Sequence, residues 1–495
     1  LNDPAPFGGT TARQARLIGQ GVDRIEDERL LRGQGVFVDD LQLPGMLHAA
    51  ILRSAVAHGR LLRVDLSAAR TMPGVRDAFA AAEILAWEGT EGSGHGSVPR
   101  IPMLLDPLPQ GEAFLQPVIA QGKVRYVGEP LAVVVAETQA LAEDALDAIT
   151  VEIESLPAVV DGGLQADNAV TLFEAPAGNR VARLEARRGE VDAVDAAFAA
   201  APHVRQERFQ VHRHFASPIE ARGLVVRRDE HSGRLVVYGA AKMPFANRRI
   251  LATLLGLREA DIDLIEGDTG GAFGQRGEFY PEDFLVPFAA LRCSRPVKWI
   301  EDRRENLIAA NHAREAACEL EVACTRDGVL LALRGRIATD IGAYLRTTGL
   351  AQSRNVAQVA AGPYRIPLVA LSVDVQVTNK TPSGPYRGPG RFEADFFRER
   401  LFDIVADELG IDRVAFRRRN LLRSDEMPWA LPTLLPWNAT TATDSGDYGE
   451  TLDRCLQAFD WTRKALLDGR EIDGRRHGIG IGCYIEGGAA GPREG

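Results

Sequence analysis

Two glycine-bearing stretches carry the residue types best suited to chemistry in this chain. Gly270-Gly271-Ala272-Phe273-Gly274 lies between an alternating run, Asp261 to Glu266, and a segment led by Pro281. Glycines there leave main-chain N–H groups bare, so an anionic or oxo-bearing ligand can approach them closely. The same residues also read as a tight turn, and the stretch lacks the Lys-Ser/Thr ending or G-x-G-x-x-G spacing that nucleotide-phosphate cradling requires. The second stretch, Pro385-Tyr386-Arg387-Gly388-Pro389-Gly390-Arg391, sets a permanent positive charge among glycines and prolines, just before an amphipathic run. His212 and His214 stand two apart on a strand-like run and would share one face. No third ligand accompanies them, so they read as core or cleft polar residues.

The elements that must position these residues follow from periodicity and capping signals. Asp261 to Glu266 alternates as a half-buried strand, and Pro281 to Arg292 spaces Leu285, Phe288 and Arg292 as a helix with proline in its first turn. Pro244 to Leu255 reads as a helix closed by Gly256. Leu131–Glu137, Thr138–Ile149 and Thr150–Ser155 read as strand, helix and strand, with Thr138 as N-cap. Phe209 to His214 and Val297 to Ile300 read as strands. In the helix Phe392 to Leu409, residues Phe396, Phe397, Leu401, Ile404 and Val405 face inward and Gly410 stops it. Asp412 caps the next helix, whose closing Arg417-Arg418-Arg419 reads as a solvated, dipole-favoured end. Glu88 to Arg100 is a surface loop.

At 495 residues the chain is long enough for more than one core. The expected division is a polar arm at 1–17, an α/β unit at 18–170, a larger unit at 171–432, and the start of a further one at 433–495. A composition of 45% hydrophobic and 25% charged residues excludes disordered and collagen-like classes. The formal charge of −10 argues against a nucleic-acid partner. No apolar run reaches the length of a membrane span, and Leu1 to Gln14 lacks the layout of a secretory signal, so the expected location is cytoplasmic. Five cysteines without a C-x-x-C pair form no zinc or iron–sulfur ligand set, so any iron–sulfur centre must come from another polypeptide.

Several segments, in order along nearly the whole chain, resemble the molybdenum-binding large subunit of the xanthine dehydrogenase and aldehyde oxidase family, which also contains the carbon monoxide dehydrogenases. These are Ile18 to Asp27, Tyr126-Val127-Gly128-Glu129-Pro130 through Glu137, the glycine loop at 270–274, Arg295 to Glu305, and Pro385 to Arg391. The resemblance implies a mixed α/β and α+β fold. An α/β hammerhead domain at 18–170 would precede the first part of a molybdenum cofactor-binding domain at 171–432. A second such domain would begin at 433–495, truncated or continued in another chain.

The implied cofactor is a molybdenum–pterin group, in dinucleotide form in some relatives. The 2Fe-2S centre and FAD are expected on partner subunits, a small iron–sulfur one and a medium flavin one. The implied activity is hydroxylation of an N-heterocycle or aldehyde with water-derived oxygen. Carried over position by position, the cofactor-binding residues are Lys242, Gly271, Ala272, Phe273, Gly274, Arg387 and Gly388. Lys242, Phe273 and Arg387 would lie near molybdenum, with no direct side-chain ligand. Glu278, Tyr386 and Pro389 would line the substrate pocket.

The chain departs from its relatives at several points. Lys242 stands where many have a glutamine that donates to a metal oxo ligand. Pro389 replaces an aromatic residue, and Gly277 replaces an acid, of the purine-oxidising members. Tyr386-Arg387-Gly388-Pro389 lacks the copper-binding cysteine of the carbon monoxide enzymes. Glu129 follows a glycine, as the family's catalytic base does, but belongs to the hammerhead segment and reads as a strand-entry turn. No residue matches the base itself, so the chain is expected to be inactive without a second molybdenum-side chain, or a C-terminal portion, that carries it. The alternative is a non-catalytic scaffold or binding protein that keeps the fold without a working metal site.

Overall fold

The computed structural model describes residues 21–87, 96–104, 108–166, 169–174, 178–239 and 241–487. The expected arm at 1–17 and most of the loop expected at 88–100 lie outside them. Seven strands form one mixed sheet in the order Ile262–Ile265, Leu235–Tyr238, Gly223–Arg228, Val297–Ile300, Leu47–Arg53, Pro130–Ala136 and Val75–Phe79. Leu47 pairs with Val297 and His48 with Lys298 in parallel, so strands from either side of position 170 share one hydrogen-bonded layer. The strand Pro130–Ala136 is buried at every residue, as its unbroken apolar run requires in the middle of a covered sheet.

One hydrophobic core, separate from that of the second sheet, follows from this pairing. Phe79 and Val133 pack in the same cluster as Leu285, Phe288 and Val297. The helix Pro281–Cys293 is buried almost all round, and its Phe288 ring meets Phe79 at 5.2 Å and Phe284 at 5.5 Å between centroids. Arg292 leaves the core and pairs with Asp77 at 2.6 Å. An ionic knot ties the same elements together: Arg53 pairs with Glu282 at 2.6 Å and Glu305 at 2.7 Å, while Arg222 pairs with Glu282 at 3.0 Å and Glu301 at 2.6 Å. Burial alone would raise the Glu282 carboxyl, but Arg222 and Arg53 overrule it and hold it well below the usual carboxylate range.

The second sheet has six strands, in the order Thr433–Leu435, Arg180–Arg188, Leu368–Gln376, Leu330–Asp340, Ala316–Cys324 and His203–Val211. The helix Arg391–Glu408 lies over it with Phe397, Leu401 and Val405 buried. Phe402 is also fully buried, whereas Phe396 is 40% exposed and Ile404 only half-buried. The inward face is therefore broader on one side than expected, because the Ala394, Arg398 and Phe402 row packs down as well. Arg417 corrects the reading of a solvated arginine end. It is fully buried, paired with Glu399 and Asp403 at 2.8 Å each, while Arg418 and Arg419 stay at the surface.

The strand expected to reach His214 ends at Val211, and His214 makes only an isolated bridge to Ala313. Among the described residues no group of three metal-ligating side chains forms. No described helix is long and apolar enough to cross a membrane. Gly128 has φ +108°, and a Cβ there would lie 2.4 Å from the Ile308 carbonyl oxygen, so the turn needs glycine. The following Glu129 is buried and accepts hydrogen bonds from the Tyr344 hydroxyl and the Arg125 amide, both at 2.6 Å. It joins the two halves of the chain and is far from solvent.

The shared core has a measurable consequence. Glu282→Leu leaves two buried guanidinium groups short of a partner and is expected to cost about 3–5 kcal/mol. In guanidinium unfolding followed by tryptophan fluorescence and by far-ultraviolet circular dichroism, both probes should move together to lower midpoints. Unchanged midpoints would contradict the part assigned to the Glu282 knot.

Candidate functional site

The glycine loop begins where the strand Ile262–Ile265 ends and is held from behind. Glu220 accepts from the Gly270 amide at 2.8 Å and pairs with Arg276 at 2.8 Å. Arg276 is 4% exposed, and its Nε donates to the Gly271 carbonyl at 2.9 Å. Burial lowers its pKa while Glu220 opposes that shift. The Tyr280 hydroxyl donates to the Gln275 carbonyl at 2.6 Å and closes the loop onto the helix Pro281–Cys293. With the carbonyls anchored, the amides of Gly271, Ala272, Phe273 and Gly274 have no hydrogen-bond partner among the described residues. That is the arrangement of a backbone anion site.

Phe273 and Gly274 have φ of +52° and +103°. They bring the loop against the Pro385–Arg391 turn, where the Arg387 amide donates to the Phe273 carbonyl at 2.8 Å. A Cβ on Gly274 would lie 2.8 Å from the Pro385 carbonyl oxygen, so this close approach depends on glycine.

Between the two segments opens a cleft of about 760 Å³. Lys242, Phe273, Gly274, Arg387, Gly388 and Pro389, all picked out from sequence, line it. Phe273 is 48% exposed into this space. The ammonium of Lys242 and the guanidinium of Arg387 have no ion-pair or hydrogen-bond partner among the described residues. The Lys242 stem passes over Gly277, whose Cβ position is 3.4 Å from the Lys242 Cδ.

Four of the expected site residues do not contribute to the lining. Gly271 and Ala272 stand behind Phe273 in the loop. Glu278 is 1% exposed and accepts from the Thr347 hydroxyl at 2.6 Å and the Thr348 amide at 3.2 Å. It supports the cleft floor through Thr348. The Tyr386 ring lies against the Arg314 guanidinium at 4.7 Å. Sequence reasoning missed Arg354, Asn355, Arg391 and Glu486, which also line the cleft. The helix Ala351–Gln358 brings in the first two, and Arg391 pairs with Glu486 at 2.9 Å. Glu486 sits in the alternating run Gly478 to Glu486, which reads as a strand but forms none in the structure, and nothing in that pattern places it at the cleft.

Amides and two cations without a partner among the described residues, with missing side chains at Gly274, Gly277 and Gly388, fit a bulky anionic group that bears oxygen ligands.

Comparison with known proteins agrees with this chemistry. Residues 173–421 match the molybdopterin cofactor-binding domain, and residues 32–157 match the aldehyde oxidase and xanthine dehydrogenase a/b hammerhead domain. The chain is 36% identical to the 6-hydroxypseudooxynicotine dehydrogenase complex subunit gamma of Paenarthrobacter nicotinovorans, over 98% of this chain and 60% of that one. It is 33% identical to the nicotine 6-hydroxylase large subunit of the same organism, over 95% of this chain and 55% of that one. Quinoline 2-oxidoreductase from Pseudomonas putida 86 superimposes with a TM-score of 0.79 at 34% identity, covering 91% of this chain and 55% of that one. The chain therefore belongs to the molybdenum hydroxylase large-subunit family that includes xanthine dehydrogenase and aldehyde oxidase. It spans little more than half the length of these relatives.

The dependence of the two-loop junction on glycine is testable against a glycine that also has positive φ but meets nothing. Gly233 has φ +69° with open space at its Cβ position. Gly274→Ala should destabilise by about 1–3 kcal/mol more than Gly233→Ala, because strain and a backbone clash add there. Urea unfolding of the two variants measures the difference, and equal midpoints would refute it.

Proposed function

We propose that this chain forms one wall of a molybdenum–pterin site in an oxidative hydroxylase, with Lys242, the amides of Phe273 and Gly274, Arg387 and Gly388 holding the cofactor. When bound, that group supplies two-electron oxidation of a carbon next to nitrogen or oxygen, with the incoming oxygen drawn from water. The observation that carries the reading is the 2.8 Å bond from the Arg387 amide to the Phe273 carbonyl, which places unpartnered amides and unpaired cations around one cleft. The chain's residues orient and hold: the amides donate to anionic or oxo groups, and Lys242 and Arg387 offset negative charge.

The substrate class is an N-heterocycle or aldehyde. Relatives that are named for nicotine and quinoline favour the former. Electrons leave to a 2Fe-2S small subunit and an FAD medium subunit. The only carboxylate among the described lining residues is Glu486, and it is paired with Arg391. A base for proton removal is thus supplied by another segment or chain, and this chain alone has no turnover.

The assembled protein, purified from a host that makes the cofactor, should contain about one molybdenum per chain by mass spectrometry. Lys242→Ala and Arg387→Met should each lower molybdenum and pterin content several-fold without changing the unfolding midpoint. Molybdenum near zero in an intact assembly would support the alternative, a scaffold that keeps the fold without the metal.

A further inference from the structure

Behind the Pro385–Arg391 turn lies a guanidinium that the cleft does not expose. Arg314 is 4% exposed and has φ +77°, a left-handed backbone that a non-glycine residue adopts only when its surroundings fix it. Its Nη1 donates to the Gly388 carbonyl at 3.1 Å, and its Nη2 donates to the Arg387 carbonyl. Its own amide donates to Gln352 Oε1 at 3.0 Å. The guanidinium is flanked by the Tyr386 and Phe392 rings, at 4.7 and 4.6 Å from their centroids. Glu393, 0% exposed, faces it at 3.4 Å.

The Arg387 peptide is therefore gripped at both ends: its amide by the Phe273 carbonyl, its carbonyl by Arg314. Gly388 and Gly390, both with positive φ, would otherwise let this turn wander. The planar fork reaches two successive carbonyls at once while stacking between rings, which an ammonium cannot do.

We infer that Arg314 is a positioning residue: it fixes the Arg387–Gly388 turn so that the Arg387 side chain is presented to the cleft. The functional meaning of that presentation rests on the molybdenum–pterin reading, whereas the positioning itself does not. Gln352 and Glu393 serve it in turn, one orienting the strained backbone and the other supplying the counter-charge.

A buried arginine could simply stabilise the fold, so the test must separate the two roles. Arg314→Met with Glu393→Leu removes both charges and leaves none orphaned, so global stability should be nearly retained. Hydrogen exchange of the full chain, free of cofactor, then reads the turn directly. In this double variant the peptide spanning 384–392 should exchange about tenfold faster or more, while peptides of the seven-stranded sheet keep wild-type rates. Arg314→Lys should show the same local loss. Wild-type protection of 384–392 in the double variant would overturn the inference, and so would an equal loss of protection throughout the chain. Neither result depends on whether molybdenum binds.

Discussion

One backbone hydrogen bond, from the Arg387 amide to the Phe273 carbonyl, brings together two segments that are far apart in sequence. Neither segment could make it in an ordinary conformation. Phe273 and Gly274 both have positive φ on one side, and Gly388 and Gly390 do on the other. Such turns hold only if something else fixes them. Glu220 and Arg276 do this for the glycine loop, and buried arginine contacts do it for the Arg387 turn. The cleft is thus a by-product of two turns meeting, each braced from behind by charge.

Charge also explains why an acidic chain can host an anionic cofactor. The formal net charge is −10, yet among the described residues the cleft is lined by Lys242, Arg354, Arg387 and Arg391 against a single carboxylate, Glu486. Most other arginines are spent on local ion pairs, such as the Arg53, Arg222, Glu282 and Glu301 knot. Lys242 and Arg387 stand out because nothing among the described residues neutralises them. Both are solvent-exposed in the open cleft, so a bound group that covers them would strengthen their pull on an anion.

Much of the local architecture was legible in the sequence because local physics sets it. The helix Pro244–Leu255 starts at its proline and stops at Gly256 with φ +65°. Thr138 and Asp412 cap the helices that follow them. Family motifs marked Lys242, Phe273, Gly274, Arg387, Gly388 and Pro389 as neighbours, and they do line one cleft. What stayed hidden depends on pairing at a distance. Nothing in Leu47–Arg53 announces that it will lie beside Val297–Ile300. Arg417 looked like a helix-end charge because its partners, Glu399 and Asp403, sit on the preceding helix with no marker in the sequence. Glu278 looked like a pocket acid because it adjoins Gly277, yet its side chain turns beneath the floor to Thr347 and Thr348.

In the proposed site, the cofactor metal lies between the Phe273 loop and the Arg387 turn. The most direct measurement is an anomalous-difference map, at the molybdenum absorption edge, from crystals of the assembled protein. One strong peak is expected inside the cleft bounded by Phe273, Lys242 and Arg387. A molybdenum peak elsewhere in the assembly, with that cleft empty, would contradict it.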